Sequence, residues 1–326
     1  MQAWRILEKG HPSTNLISQS ITEPIPRQAQ VQIKVEAAVI NFADILVCQG
    51  IYQNRPAVPF TPGLEAAGTV VATGPGSCFK PGDKVAGMTA LPDGSFAEYC
   101  LLDDVSTLAY PPTIPATACG ILYNTFLTAH IALFHRAHLQ AGEKLLVLAG
   151  SGGVGSAAIQ LGHVAGAEVI AAASSPEKLD YCRSLGATHL INYTTEDIYQ
   201  RLGEITNNKG IDVCFDPVGS EMTEPVRRRL AFEGRYLIIG FAGGHIPNFP
   251  ANHALVKNYD VIGSAWTEYL KHKRTVVEDA FREILALYEH DKIVLGRYET
   301  VPMDGVPGAL MAIDERKHLG RLLLIN

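Results

Sequence analysis

A chain of 326 residues exceeds what one hydrophobic core usually serves, which points to two domains and excludes a small binding module. Apolar residues make up 47% and charged residues 18%, the mix of a globular protein with a large core, so a disordered or fibrous chain is excluded. With 27 basic against 33 acidic side chains the net charge is −6, a sign that argues against a nucleic-acid or anionic-membrane surface.

Proline and glycine break the first 120 or so residues into short β-branched runs at 31–35, 68–71 and 83–86, the texture of a β-rich domain. The opening MQAWRILEKG reads as a short alternating strand rather than a basic start with an apolar stretch, and a cytoplasmic protein is the expectation. Residues 121–138 form a long apolar stretch of helical length, and no run approaches the roughly 20 apolar residues of a membrane span. Short buried runs then follow at 144–149, 168–172, 189–192, 212–215, 236–239 and 261–264, separated by helical segments such as 156–165, 176–185 and 221–231. Apolar strands with crossover helices predict a parallel sheet covered on both faces. From residue 271 a charged amphipathic helix, 276–290, leads to a strand at 322–325, and this last part is expected to return to the first domain. The six cysteines form no CxxC pair and read as reduced, mostly buried thiols.

The strand 144–149 runs into Gly150-Ser151-Gly152-Gly153-Val154-Gly155 with a helix after it, the setting that gives a GxGxxG motif its meaning. Glycines allow a tight turn and bring backbone N–H groups against a pyrophosphate, and the helix N-terminus adds partial positive charge. The alternative is a glycine-rich turn that only permits close helix–sheet packing.

An NAD-preferring fold places an acid at the end of the second strand to hold the ribose diol. Here that strand ends in Ser174 and Ser175, with Lys178 close behind, groups that accept a 2′-phosphate. NADPH is therefore the expected cofactor. Ser175 before Pro176 also reads as a helix cap, and both roles can hold.

The blocks Asn41-Phe42-Ala43-Asp44, Gly50-Ile51-Tyr52, PFTPGLEAAG at 59–68, GDKV at 82–85, GSFAEY at 94–99 and the glycine turn stand in family order. On them the chain resembles the quinone oxidoreductase (zeta-crystallin-like) branch of the zinc-free medium-chain dehydrogenase/reductase superfamily. The resemblance implies an α/β protein: a GroES-like β-rich catalytic domain over 1–122 and 268–326, a Rossmann doubly wound parallel-sheet domain over 123–267, and a cofactor cleft along their junction. The zinc branches carry Cys and His where this chain has Asn41 and Leu64, and leucine cannot ligate a metal. Cys119 is the nearest candidate for a further ligand and reads as a small core residue. No catalytic metal is expected, which leaves acceptors that are already electrophilic, quinones and C=C bonds conjugated to a carbonyl.

By the same resemblance Asn41 faces the nicotinamide and donates an amide N–H to the substrate oxygen, and Tyr52 stands where related enoyl thioester reductases place a proton donor. An aromatic lid is the other reading of Tyr52. Further implied cofactor residues are Thr128, Tyr193, Gly240, Phe241 and Arg316, beside Gly150 to Gly155, Ser174 and Lys178. Leu46 replaces an aromatic side chain found near the substrate in several relatives, which suggests a more open, aliphatic pocket.

The predicted function is an NADPH-dependent quinone oxidoreductase with a small-molecule acceptor, expected as a homodimer through an edge strand near 261–264. An enal, enone or enoyl-thioester reductase is the same-class alternative, and a non-catalytic NADPH-binding scaffold or RNA-binding protein the other. His130, His135 and His138 share one predicted helix, but offsets of five and eight turn them about 140° and 80° from the first, against a metal site. The basic runs 227–229 and 271–274 read as solvated faces.

Overall fold

A computed structural model describes residues 1–315, 317–318 and 320–326. The chain divides into two compact units, Met1–Asn124 with Arg297–Asn326, and Thr125–Gly296.

In the first unit a six-stranded sheet runs in the order Tyr298–Val301, Arg321–Ile325, Gln30–Ile40, Glu65–Thr73, Lys84–Thr89, Tyr99–Ala109. All neighbours are antiparallel except the first pair, and Gln30–Ile40 also pairs with Tyr99–Ala109, so its last four strands close on themselves. Closure leaves these strands without a free edge. Val31, Ile33 and Val35 alternate into the core, and helix Val306–Asp314 lays Val306, Ala309, Leu310 and Ile313 on the same cluster. That spacing is one helical face. It brings the C-terminal segment to this unit, as the resemblance implies.

The second unit is a parallel sheet in the order Asp260–Gly263, Leu230–Ile238, Ile211–Asp216, Lys144–Val147, Glu168–Ala173, His189–Asn192. Strand order reverses between Lys144–Val147 and Ile211–Asp216, and ligands of such sheets bind beyond the carboxyl ends of the strands at that switch. The strand proposed for pairing across a two-fold axis, Asp260–Gly263, is the outermost of its sheet. The six expected strands are all present.

Two expectations need correction. The second unit runs to Gly296 rather than to residue 267. Helix Arg274–Glu289 packs there through Val277, Phe281 and Ile284, Glu283 meets His130 at 2.9 Å, and Gln160 and Val294 exchange two hydrogen bonds. The amphipathic pattern marked an apolar face but not which unit that face would meet. The second correction concerns Ala116–Arg136, which at 21 residues is long and apolar enough to cross a membrane by composition. Its most apolar window is 83% buried in the protein, the condition that makes a helix apolar all round. It ends in a π-helical turn, Ile131–Arg136.

Candidate active site

Strand Gln30–Ile40 ends at Asn41, whose extended backbone caps helix Phe42–Gln49. Asp44 reaches back from the first helical turn: its Oδ2 accepts the Asn41 backbone N–H at 2.7 Å, and its Oδ1 accepts that of Leu64 at 3.0 Å. One buried carboxyl thus ties the helix start to the loop through Gly63, whose φ of 101° suits glycine. Glu65, also buried, opens the next strand. Its Oε1 accepts the Asn41 side-chain amide at 2.6 Å and that of Asn124 at 3.4 Å, while its Oε2 is buried with no hydrogen-bond partner among the described residues.

Burial pushes the Asp44 carboxyl up to about 7 against the pull of its two backbone donors. Burial likewise pushes Glu65 up to about 8, with Asp44 adding to the rise and the Asn41 and Asn124 amides and Arg321 opposing it. The helix ends at Gly50 in the left-handed conformation, φ 73°, and the chain turns into Tyr52. The Tyr52 side chain packs against the cluster of Ile6, Val47, Cys48, Phe60 and Leu64. Its phenol is raised above its ordinary value by burial, then by Asp44 and Glu65. It therefore keeps its proton through the neutral range.

Asn41 and Tyr52 thus flank one short helix. Asp44, Glu65 and Asn124, which complete the cluster, carried no role in the sequence reading. The acid three residues after a capping residue was a readable signal for Asp44; nothing local marks Glu65 as buried. One difference concerns Asn41 itself: both hydrogen bonds of its side-chain amide, to Glu65 Oε1 and, at 3.4 Å, to Val39 O, are made by Nδ2, the atom expected to serve the substrate, while the side chain also faces the Asp44 backbone N–H in a capping box. Leu64 is a buried apolar residue, Cys119 lies in the core, and no group of three or more metal-ligating side chains is found among the described residues.

In the second unit strand Lys144–Val147 turns at Ala149, φ 49°, and Gly150 N–H donates to Ala172 O at 3.0 Å. A Cβ on Gly155 would lie 2.3 Å from Ala149 O, and one on Gly150 3.0 Å from Cys182 Sγ. These two glycines serve close helix–strand packing, so part of the motif has the structural role weighed against the phosphate reading. Gly152 differs: it is exposed, and as the N-cap of helix Gly153–Val164 it brings no side chain of its own to the helix start. A helix start with glycine as its N-cap, at the switch point of a parallel sheet, suits a pyrophosphate, and the residues present fit a dinucleotide.

Lys178 Nζ donates to Ser174 Oγ at 3.3 Å at the carboxyl end of Glu168–Ala173. Ser175 Oγ accepts the Lys178 backbone N–H at 3.4 Å, so the capping role also holds. Tyr193 follows strand His189–Asn192, its N–H donating to Ala173 O at 3.3 Å and its side chain packing on the core. Thr194, overlooked in the sequence, donates its hydroxyl to Ser174 O at 3.3 Å. Gly240 and Phe241 follow Leu230–Ile238, and their loop is stitched to the next one by Ala242 N–H to Pro217 O and Gly243 N–H to Val218 O. Thr128 is buried on helix Ala116–His130. Arg316 lies outside the described residues. His130 has Glu283 beside it at 2.9 Å.

Residues 27–112 match the alcohol dehydrogenase GroES-like domain and residues 153–287 the zinc-binding dehydrogenase family. Quinone oxidoreductase-like protein 2 of Bos taurus is 36% identical over 309 residues, covering 93% of this chain and 88% of its own. The Escherichia coli quinone oxidoreductase complexed with NADPH superposes at a TM-score of 0.91 with 26% identity, all of both chains covered. The CurK enoyl reductase gives 0.86 and 27% over 99% of each chain. A GroES-like unit joined to a doubly wound parallel-sheet unit defines a medium-chain dehydrogenase/reductase. The chain belongs to the zinc-free quinone oxidoreductase branch of that superfamily, and it is an oxidoreductase.

The carboxyl pair has a thermodynamic consequence. A carboxyl whose folded value lies above its unfolded value near 4 adds stability that is full below about pH 4 and lost as pH rises through the folded value. For Asp44 and Glu65 that loss runs from about pH 4 up to about 7 and 8. Wild-type urea midpoints should fall from pH 5 to pH 8, and Asp44→Asn should flatten the fall by about a third or more. An unchanged slope in the variant contradicts the burial account.

Proposed function

We propose that the chain is an NADPH-dependent reductase that transfers a hydride to a quinone or similar conjugated carbonyl acceptor without a zinc ion. The observation that carries the reading is the exchange at positions 41 and 64, where an amide and a leucine stand in place of thiolate and imidazole ligands. Without a Lewis acid an unactivated ketone or alcohol is a poor partner, whereas a conjugated π-system accepts a hydride directly and leaves an oxyanion or enolate. The preference for NADPH rests on the Lys178–Ser174 contact at a strand end with no acid to repel a 2′-phosphate.

When bound, NADPH supplies the hydride. The glycine-capped start of helix Gly153–Val164 would meet the pyrophosphate, and Lys178 with Ser174 and Tyr193 would hold the 2′-phosphate. Asn41 faces the oxygen on which charge develops. Tyr52, its proton held by burial and two neighbouring carboxyls, donates it to the enolate or quinolate and regains it from water. The likeness to an enoyl reductase and the same phenol support the alternative acceptor class, an enal, enone or enoyl thioester.

Steady-state NADPH oxidation with benzoquinone, a naphthoquinone, an alkenal and an enoyl thioester separates these readings. Turnover of a quinone is the expected result; inert quinones with an active enal would move the chain to the alternative class. NADPH binding without turnover of any acceptor would support a scaffold. Lys178→Ala should raise KM for NADPH about ten-fold while leaving NADH unchanged, the scale of one charge-assisted contact. Equal loss for both cofactors would remove Lys178 from the phosphate site. Tyr52→Phe should lower kcat about 100-fold if the phenol is the acid, and only about two-fold if it is a lid.

A further inference from the structure

Glu65 is 2% exposed, and the mechanism above gives it no part. Its Oε1 lies 2.6 Å from the Asn41 side-chain amide. That separation is short for N–H···O, usually about 2.9 Å, and ordinary for O–H···O, about 2.7 Å. The two ends of an asparagine amide are distinguished by the partners they face. A carboxylate draws Nδ2 toward Glu65 and leaves Oδ1 on the far side, toward the helix start. A carboxylic O–H draws Oδ1 inward and turns Nδ2, with both hydrogens, away from Glu65. The second observation is Oε2, buried with no hydrogen-bond partner among the described residues, a poor setting for a full negative charge.

The groups that face Glu65 are Asp44 from helix Phe42–Gln49, Arg321 from strand Arg321–Ile325, the Asn124 amide from helix Ala116–His130, and Tyr52 beyond the end of Phe42–Gln49. Among the described residues Arg321 is the one cation set against Glu65, and none is set against Asp44. Asp44 takes two backbone donors at a helix N-terminus, whereas Glu65 takes amides on one oxygen only, so the proton that the pair keeps belongs on Glu65.

We infer that Glu65 is a positioning residue: its O–H donates to Asn41 Oδ1 and turns the Asn41 N–H₂ outward as a donor, and loss of that proton turns the amide to offer a carbonyl oxygen instead. The amide orientation stands on geometry alone, while its kinetic effect rests on the hydride-transfer reading. An outward N–H₂ stabilises a developing oxyanion; an outward carbonyl repels it. Burial and the charge of Asp44 set the change at about pH 8.

Side-chain amide ¹⁵N–¹H spectra and kcat are followed from pH 6 to 9.5 in wild type and in Glu65→Gln, with Asn41 assigned through Asn41→Asp. The Asn41 amide pair should shift with a midpoint near pH 8 in wild type and stay constant in Glu65→Gln, whose carboxamide donates at every pH. Wild-type kcat should fall about ten-fold or more across pH 7 to 9.5, the scale of one lost oxyanion donor, while Glu65→Gln loses that limb and keeps at least about a third of the neutral rate. Glu65→Leu, which offers no donor, should lower kcat about ten-fold with KM for NADPH unchanged. An Asn41 amide with no midpoint, or one that survives in Glu65→Gln, overturns the assignment; a flat wild-type kcat with a titrating amide overturns its kinetic half. If the amide titrates but no conjugated acceptor is reduced, the proposed function fails and the orientation switch stands.

Discussion

The cost of burying negative charge organises the first unit. Asp44 and Glu65 are both removed from water, and among the described residues Arg321 is the cation that acts on Glu65. Such a pair persists when each oxygen finds a donor or keeps a proton. Asp44 takes the first course, accepting backbone N–H groups from Asn41 and Leu64 and so fixing the start of Phe42–Gln49 against the loop before Glu65–Thr73. Glu65 takes the second, sharing one oxygen between two amides. The orientation of Asn41 and the seat of Leu64 follow from this arrangement, and the pair adds to the rise that burial gives the Tyr52 phenol.

The second unit solves the opposite problem. There the expected negative charge comes from a ligand, and the protein offers donors rather than acids. Helix Gly153–Val164 begins at an exposed glycine, whose lack of a side chain leaves room for a pyrophosphate at the helix start. Gly155 lets that helix start sit against Ala149, and the switch in strand order opens the sheet at the same place. Lys178 leans on Ser174 and adds the positive charge that a whole-chain balance of −6 conceals.

Periodicity and glycine placement made the parallel sheet, the glycine turn and the serine–lysine strand end legible in the sequence, because each is local: a buried run, a turn, a cap. The return of the C-terminal segment was legible through family blocks. What sequence did not disclose is non-local. Helix Arg274–Glu289 belongs to the second unit through Glu283 on His130 and a buried Phe281, contacts about 150 residues apart for which composition carries no mark. Glu65 reads as an ordinary strand-opening acid until the fold places Asn41 and Asn124 against it.

That placement also explains why an amide belongs at position 41 once leucine stands at 64. With thiolate and imidazole at these positions, a bound cation would hold a neighbouring glutamate ionised and its proton would be lost. Leu64 removes the ligand and brings apolar surface in its place, packed among Ile6, Val47 and Phe60. The glutamate then sits in a medium of low polarity, where the neutral carboxyl is the cheaper form. A side chain able to meet that carboxyl in either protonation state must both donate and accept, and asparagine does both at one length. A leucine at 64 and a polar, two-sided group at position 41 therefore form one electrostatic arrangement rather than two independent features.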